Sequence, residues 1–337
     1  MKYLKFLPVL LFLIQSCSKD KKDINSKPVA DFTVTDEIDQ FILRDKSKDI
    51  DGDALTYKWV SMCDTIGLTN TYSSSAYLDL PELNESKQIN IKHVVSDGIL
   101  SDSIVKEITL PKTTLQRKYG LGIDLENEHS NDVGYCWYYD QMNSGTWASV
   151  NCGPTSVTMA IKWANKDFNK TPEDARNTYR SGGGWWYTDD IINYLNKYSI
   201  NNYAINIAHI NSLLSEISIG NIAILCLDIY YIRDQEKDKW HIDKFYRSDK
   251  KGAGHFIVIK GFKKVDDELF YEAYDPASFG EKYSDGSIKG KDRYYRGEDL
   301  DSAVINWWRY AIIVSKNNLK GSNSEVDIDE IEHKSGF

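Results

Sequence analysis

The amino-acid sequence predicts a multidomain protein in which a small all-β sandwich, residues 28–111, precedes an α+β domain, residues 115–316. Residues 28–111 contain short runs of alternating apolar and polar residues separated by turn-forming residues, which is typical of antiparallel sandwiches. Residues 115–316 combine helical segments with strongly apolar strands, and the polar stretch 111–114 marks the boundary. A chain of 337 residues is long enough to form two hydrophobic cores.

The composition is that of a folded, acidic protein. Charged residues make up 27% of the chain and aromatic residues 12%, and the net charge is -9. Because this charge opposes nucleic-acid binding and the sequence has no basic stripe, we expect no nucleic-acid partner. The 22 tyrosines and 9 tryptophans suit a cleft for a peptide or a sugar, and they equally suit core packing.

The cysteines do not have the spacing of a metal site. The chain contains five of them: Cys17, Cys63, Cys136, Cys152 and Cys226. No two form a Cys-x-x-Cys pair, so the sequence predicts neither a zinc site nor a redox pair, and it shows no disulfide framework. We therefore predict no metal and no cofactor.

The first 27 residues are interpreted as a targeting segment and a tether. Lys2 and Lys5 precede an apolar stretch, residues 6–14, that is too short to span a bilayer. The sequence Ile14-Gln15-Ser16-Cys17 resembles a bacterial lipobox. The resemblance implies a lipoprotein signal peptide at residues 1–16, lipidation of Cys17 and a polar tether at residues 17–27. It also implies a lipid-anchored protein of the bacterial envelope, on the periplasmic or surface side of the outer membrane. An ordinary cleaved signal peptide is the alternative.

Residues 28–111 carry four alternating runs that predict strands: 30–34, 56–60, 89–95 and 104–110. Residues 49–59, with Asp-Gly-Asp followed by Thr-Tyr-Lys-Trp, and the Val-Ser-Asp-Gly sequence at residues 95–98 resemble PKD/Ig-like repeats of bacterial surface proteins. The resemblance implies an Ig-like sandwich.

Two features of residues 28–111 have alternative interpretations. Asp49, Asp51 and Asp53 have the chemistry of a calcium site, but Asp-Gly-Asp is also common in turns, and we favour the turn. His93 lies in a predicted strand without an identifiable partner and is interpreted as structural.

A cysteine at a predicted helix start is the first candidate for catalysis. It belongs to the sequence Asn151-Cys152-Gly153-Pro154-Thr155-Ser156. Apolar residues at 157, 160, 161 and 164 then share one helical face, and Pro154 fits the first turn. The helix dipole at this end favours a thiolate, the nucleophilic form of cysteine. The alternative is an inert, buried cysteine.

The other predicted elements of the second domain support a mixed α and β fold. Thr171 and Pro172 predict a capped helix, and residues 188–198 predict another. Residues 202–207, 222–229 and 308–315 predict strands. The polar, acidic residues 317–337 are predicted to be a mobile tail.

A histidine and an aspartate complete the pattern expected for a nucleophilic cysteine. His255 begins the apolar strand 255–262 after a glycine-rich loop, and Asp275 follows the strand 268–274. If these strands pair through a turn at residues 263–267, His255 and Asp275 lie side by side. Asp275 can then orient the His255 imidazole, which serves as the base. His241, in a charged segment without a following acidic strand end, is the rival base.

These three motifs together resemble the papain-like cysteine peptidases, specifically the C39-like family. The motifs are Asn-Cys-Gly-Pro-Thr-Ser at 151–156, Gly-His-Phe-Ile-Val at 254–258 and Tyr-Asp-Pro at 274–276, and the resemblance covers residues 130–315. It implies an α+β papain-like domain in which Cys152, His255 and Asp275 form a catalytic triad. It also implies that Gln141, eleven residues before Cys152, donates to the oxyanion. The bacteriocin-processing members have an acid where this chain has Asn151, which puts specificity for Gly-Gly leaders in doubt.

The resemblance implies an envelope-anchored cysteine peptidase acting on a peptide or protein substrate. Two other functions remain open: an amidase or acyltransferase that uses the same residues on a small molecule, and a non-catalytic surface binding protein. Transglutaminase-like enzymes also use Cys, His and Asp, but their histidine follows the cysteine more closely. The sequence leaves the oligomeric state open.

Overall fold

The computed structural model describes residues 25–37, 40–246, 249–283 and 286–336. The described residues form two compact units, which divide between Lys112 and Thr113. The predicted signal peptide at 1–16 and the predicted lipidation site, Cys17, lie outside the described residues. No described helix is both long enough and apolar enough to cross a membrane.

The first unit consists of two antiparallel sheets around one hydrophobic core. Its strands are β1 (Phe32–Glu37), β2 (Gln40–Asp45), β3 (Thr56–Ser61), β4 (Leu68–Thr69), β5 (Ser75–Leu78), β6 (Lys87–Ser96) and β7 (Ser101–Leu110). One sheet has the order β1-β2-β5-β4 and the other β3-β6-β7. Phe32 and Leu43 of one sheet share a buried core with Trp59 and Ile91 of the other. Alternate residues of β6 are buried, as expected of a sheet with one face toward the core.

Asp49 and His93 both have structural partners in this unit. Asp49 Oδ1 accepts hydrogen bonds from the N–H of Asp51 at 2.9 Å and of Asp53 at 3.2 Å, which is turn geometry. His93 is fully buried, stacks on Trp59 with ring centroids 3.6 Å apart, and lies 2.8 Å from Asp45 Oδ1 through its Nε2. His93 is therefore structural as predicted, with a partner that the sequence analysis did not identify.

The second unit is built on one antiparallel sheet with eight strands among the described residues. They have the order β14-β13-β12-β11-β15-β10-β16, and β8 also pairs with β12. The strands of this unit are β8 (Leu125–Ser130), β9 (Trp186–Tyr187), β10 (Asn202–Asn206), β11 (Ile222–Asp228), β12 (Gly254–Val265), β13 (Glu268–Tyr274), β14 (Arg293–Arg296), β15 (Tyr310–Val314), β16 (Glu325–Val326) and β17 (Ser335–Gly336). The short strands β9 and β17 pair separately.

Helices cover both faces of this sheet. The helices are α1 (Leu115–Tyr119), α2 (Cys152–Ala164), α3 (Pro172–Thr178), α4 (Thr188–Lys197), α5 (Leu213–Ser218) and α6 (Gly297–Ile305). Residues of α2 and α4 share one core with Ile224 and Cys226, whereas residues of α5 and α6 share a second core with Leu225 and Leu227. Strand β11 is thus buried along its whole length, which explains why its sequence is apolar without alternation.

The hairpin β12–β13 carries the predicted base, but its register differs from the prediction. The predicted register pairs Val258 with Glu272, whereas the structure pairs Val258 with Tyr274. Two causes are visible. The turn residues are Asp266 and Asp267, both at positive φ (50° and 65°), and a bulge interrupts the pairing between 259 and 261. The side chains of residues 255 and 275 still meet, as described below.

The segment after residue 316 also differs from the prediction of a mobile tail. It contains β16, which pairs with β10, and β17, which pairs with β9. Ile328 and Ile331 pack against the core that contains α2. This polar segment is held by main-chain pairing and by these two apolar side chains. Neither kind of contact requires apolar residues at regular spacing, so the sequence shows no hydrophobic periodicity from which a helix or strand could be predicted.

Candidate active site

Cys152 is the first residue of α2, as the sequence predicts. The helix has 13 residues, and Asn151 precedes it as the N-cap position. The hydroxyl of Ser156 donates to the carbonyl of Phe256 at 3.1 Å, which ties the first turn of α2 to strand β12. The side chain at position 152 therefore lies at the positive end of a helix whose position is fixed against the neighbouring sheet.

A buried hydrogen-bond network holds the loop before Cys152. Asn151 Nδ2 donates to the carbonyl and hydroxyl oxygens of Ser144 at 3.0 and 2.7 Å. Arg176 Nε donates to Asn151 Oδ1 at 2.6 Å, and its Nη2 donates to the carbonyl of Val150 at 3.0 Å. Both ends of the Asn151 amide therefore have structural partners. Arg176, on α3, also places a buried cation whose charge interacts with Cys152.

His255 lies at the start of β12 and contacts both other members of the predicted triad. Its Nε2 is 2.8 Å from Asp275 Oδ1, and a side-chain hydrogen bond joins it to Cys152. Burial opposes a charged imidazole, but the Asp275 carboxylate and Cys152 outweigh it, so the pKa of His255 is raised to about 10. The imidazole is 3% exposed.

Asp275 is fully buried and accepts four hydrogen bonds. Oδ1 accepts from His255 Nε2 and from the Ala277 N–H, each at 2.8 Å. Oδ2 accepts from the hydroxyls of Tyr246 at 2.9 Å and Tyr295 at 2.5 Å. Burial would raise the pKa of this carboxyl, but the positive charge of His255 and these hydrogen bonds lower it below its ordinary value. The group is therefore an ionised carboxylate aimed at His255.

Gln141 is also buried, and its amide already has one structural partner. The Nε2 group donates to the carbonyl of Ala148 at 3.1 Å, and the main-chain N–H donates to the carbonyl of Pro276 at 2.8 Å. The second bond attaches Gln141 to the turn that follows Asp275. An amide has two N–H groups, so the bond to Ala148 leaves one as a possible donor to a reacting group.

The remaining histidines of the second unit belong to other environments. The rival base, His241, stacks on Tyr283 with ring centroids 4.1 Å apart and lies near the carbonyl of Asp292. His129 is hydrogen-bonded to Asn131, His209 accepts from the N–H of Asn211, and His333 is hydrogen-bonded to Thr188.

Sequence reasoning missed three side chains of this site: Arg176, Tyr246 and Tyr295. The tyrosines are two among 22, and each reaches Asp275 from outside the triad motifs. Arg176 follows a recognisable cap at Thr171, but the sequence gives no sign that it faces inward. Only the packing of α3 and the sheet identifies these three residues.

Residues 135–297 match the model of the Peptidase_C39 like family, a range that contains Gln141, Cys152, His255 and Asp275. The match suggests a hydrolase with a papain-like or related fold, and a peptide or protein substrate. No curated protein matches the chain.

The solved structures that are similar to parts of the chain include the following three. A protein from Bacillus anthracis described as a C39-like peptidase is 13% identical, with 58% of this chain and 100% of that chain covered and a TM-score of 0.39. The PKD1 domain of Vibrio anguillarum Epp is 19% identical, with 26% and 99% covered and a TM-score of 0.20. A nucleoside hydrolase-related protein from Saccharophagus degradans is 20% identical, with 26% of each chain covered and a TM-score of 0.22. At these TM-scores, none of the three assigns a function to this chain.

Proposed function

We propose that the second unit is a cysteine peptidase that hydrolyses peptide bonds, with Cys152 as nucleophile, His255 as general base and acid, and Asp275 as the residue that orients His255. The observation that carries the proposal is the contact of His255 with both partners: a thiol at a helix N-terminus and a buried carboxylate. This is the arrangement that nucleophilic catalysis by cysteine requires.

The raised pKa of His255 keeps its imidazole protonated at neutral pH. In the proposed mechanism this imidazolium pairs with the thiolate form of Cys152. The thiolate attacks the carbonyl carbon of the substrate, and the carbonyl electrons move to the oxygen. When the C–N bond breaks, His255 gives its proton to the leaving amine, and a thioester to Cys152 remains. Neutral His255 then takes a proton from a water molecule that attacks the thioester. The released thiolate and the imidazolium restore the starting pair.

The negative oxygen of the intermediate requires donors that face it. The Cys152 N–H is one, because the first N–H groups of a helix have no partner within the helix. In this proposal Gln141 is the second donor. One N–H of its amide donates to the carbonyl of Ala148, and the other N–H donates to the negative oxygen. Asn151 is less suitable, since Ser144 and Arg176 hold both ends of its amide.

The proposal extends to the location of the enzyme. Lipidation of Cys17 would anchor the chain in the bacterial envelope, and residues 17–27 would serve as a tether. The first unit would then act as a PKD/Ig-like spacer or docking module. This part is supported by the lipobox-like sequence and by the PKD-like motifs at residues 49–59 and 95–98.

The test is digestion of a peptide library by the purified full chain and by Cys152→Ala, with products identified by mass spectrometry. We expect cleavage products from the native chain and none from Cys152→Ala. His255→Gln should lower turnover by about 10²-fold or more, because the general acid and base are both lost. Equal cleavage by Cys152→Ala at an unchanged unfolding temperature would refute the mechanism.

A further inference from the structure

The short segment 332–336 lies against the elements that form the candidate active site. Its strand β17 pairs antiparallel with β9, so that Ser335 faces Tyr187 and Gly336 faces Trp186. β9 directly precedes α4 and packs on the start of α2, where a Cβ on Gly153 would lie 2.8 Å from Trp186 Cβ. The segment therefore runs beside the first turn of the helix that carries Cys152.

Donors from the second unit hold the main chain of this segment. The Thr188 N–H donates to the carbonyl of Lys334 at 3.0 Å, and Trp307 Nε1 donates to the carbonyl of Ser335 at 3.0 Å. Trp308 Nε1 donates to the carbonyl of Glu332 at 2.8 Å. Strand pairing and bonds to carbonyl groups are how proteins bind extended peptides with little regard to sequence.

Gly336 lies next to the candidate nucleophile. A Cβ at this position would lie 3.2 Å from Cys152 Sγ and would overlap the ring of Phe256. Cys152 is 0% exposed and His255 is 3% exposed. A reactive cysteine must be reached by its substrate, and reactive cysteines are usually partly exposed. Gly336 therefore lies against the sulfur and covers it from this side.

We infer that β9, Thr188 and Trp307 form a binding site for an extended peptide main chain, and that residues 332–336 of this chain occupy it in place of a substrate. Cys152 is covered until the segment leaves. As a statement about substrate access, this inference rests on the proposed function. As a statement about what covers Cys152, it can be tested without any peptidase activity.

The preceding residues keep the segment close to its site. β16 is paired with β10, and Ile328 and Ile331 pack against the core. A segment joined to the protein in this way competes at a high effective concentration, so a free peptide must bind well to replace it. The segment itself is held by a two-residue strand and a few hydrogen bonds, which permits local opening without unfolding of the sheet.

Two full-length variants test the inference through the rate at which iodoacetamide alkylates Cys152, measured by mass spectrometry of the peptide that contains it. Gly336→Leu places a side chain where only a hydrogen fits, between Phe256 and Cys152. Trp307→Phe removes the donor to the carbonyl of Ser335. Lys334→Ala is the matched control, because its ammonium pairs with Glu332 and not with the site.

We expect Gly336→Leu to raise the alkylation rate at least about tenfold, because the segment can no longer stay closed over Cys152. Trp307→Phe should raise it less, because only one hydrogen bond that holds the segment is lost. Lys334→Ala should react at the native rate. Unfolding temperatures near the native value will show that the increase is not caused by global unfolding. An acetylated, amidated peptide Glu-His-Lys-Ser-Gly should slow the alkylation of Gly336→Leu, and the same peptide with leucine in place of glycine should not.

Native alkylation rates in both Gly336→Leu and Trp307→Phe would overturn the inference. So would a failure of the free peptide to protect Cys152. The proposed function fails separately: if Gly336→Leu exposes Cys152 but neither it nor the native chain cleaves any library peptide, the segment covers a thiol that is not a peptidase nucleophile. If both chains cleave equally fast, the peptidase assignment holds and the covering role is wrong.

Discussion

Replacing Asp275 by asparagine removes the charge that faces the His255 imidazolium while keeping the size of the side chain. Asp275 Oδ1 accepts from His255 Nε2 and from the Ala277 N–H, each at 2.8 Å. The amide oxygen of asparagine can take both bonds. Its NH₂ group would then face Tyr246 and Tyr295, whose hydroxyl oxygens can also accept. His255 therefore keeps its orientation and tautomer and loses its counter-charge.

The expected magnitude follows from the environment of His255. Its pKa is about 10: burial, the largest single effect, lowers it, Asp275 makes the largest contributions that raise it, and Cys152 makes smaller ones. Without the Asp275 charge, burial should outweigh the contribution of Cys152, so the variant should titrate at or below the ordinary value of 6.5. At a pH of about 7.5 the imidazolium should fall from nearly complete to at most about 10%. Because the thiolate–imidazolium pair depends on this proton, kcat/KM at that pH should fall at least about tenfold.

The same change predicts how stability depends on pH. Because the pKa of His255 is higher in the folded than in the unfolded protein, protonation of this residue stabilises the fold. The stabilisation is complete below the pKa of the unfolded state, near 6.5, and it is lost as the pH rises through the pKa of the folded state, about 10. The difference between the two values corresponds to at most about 5 kcal/mol. Asp275→Asn should remove this decline in the free energy of unfolding between the two pH values.

The assay is NMR titration of protein labelled at histidine Cε1, with the His255 resonance assigned by its loss in His255→Gln. In the native protein this resonance should not move between about pH 5.5 and about 8.5, whereas in Asp275→Asn it should titrate at or below the ordinary value. Cys152→Ser, which keeps the carboxylate, is the matched control. If Asp275→Asn leaves the resonance unchanged up to about pH 8.5, the carboxylate is not what holds the proton on His255.

Two further predictions concern the oxyanion donor and the anchor. Gln141→Ala should lower kcat by about 10²–10³-fold with KM little changed, because one donor to the developing charge is lost. If Asn151→Ala shows this loss and Gln141→Ala does not, the donor is Asn151. Cys17→Ser should abolish incorporation of a fatty-acid analogue and move the protein out of the membrane fraction. Equal labelling of the native chain and Cys17→Ser would contradict the lipid anchor.

The sequence located the parts of the site that depend on local signals. Pro154 and the apolar face after it placed Cys152 at the first position of α2. The strand order and the charged turn brought His255 to Asp275, although the two-residue turn at Asp266 and Asp267 and the bulge after Ile259 together shift the register at Val258 by two residues. A glycine inside a strand often marks a bulge, and Gly261 stands at this one, but the glycine by itself does not fix how far the register shifts.

The parts that could not be predicted are those set by tertiary packing alone. Tyr246 and Tyr295 reach Asp275 only because a loop and strand β14 fold beside the β12–β13 hairpin. Residues 332–336 are held mainly through their main chain, which does not require apolar side chains. The segment therefore shows no hydrophobic periodicity. A polar composition therefore led to the prediction of mobility where the structure has a paired strand.

The position of β15 has a consequence for the synthesis of the protein. This strand, Tyr310–Val314, lies between β11 and β10 in the sheet, although both are made much earlier. Until the ribosome has added residue 314, β10 and β11 have no strand between them, and the face on which α2 packs is incomplete. A nascent chain can therefore contain Cys152, His255 and Asp275 without a finished sheet to hold them. The segment that lies against Cys152 begins at residue 332, which is 18 positions after the end of β15 at residue 314. Translation of these 18 residues takes roughly 1–4 s, so the strands of the sheet are made before this segment is.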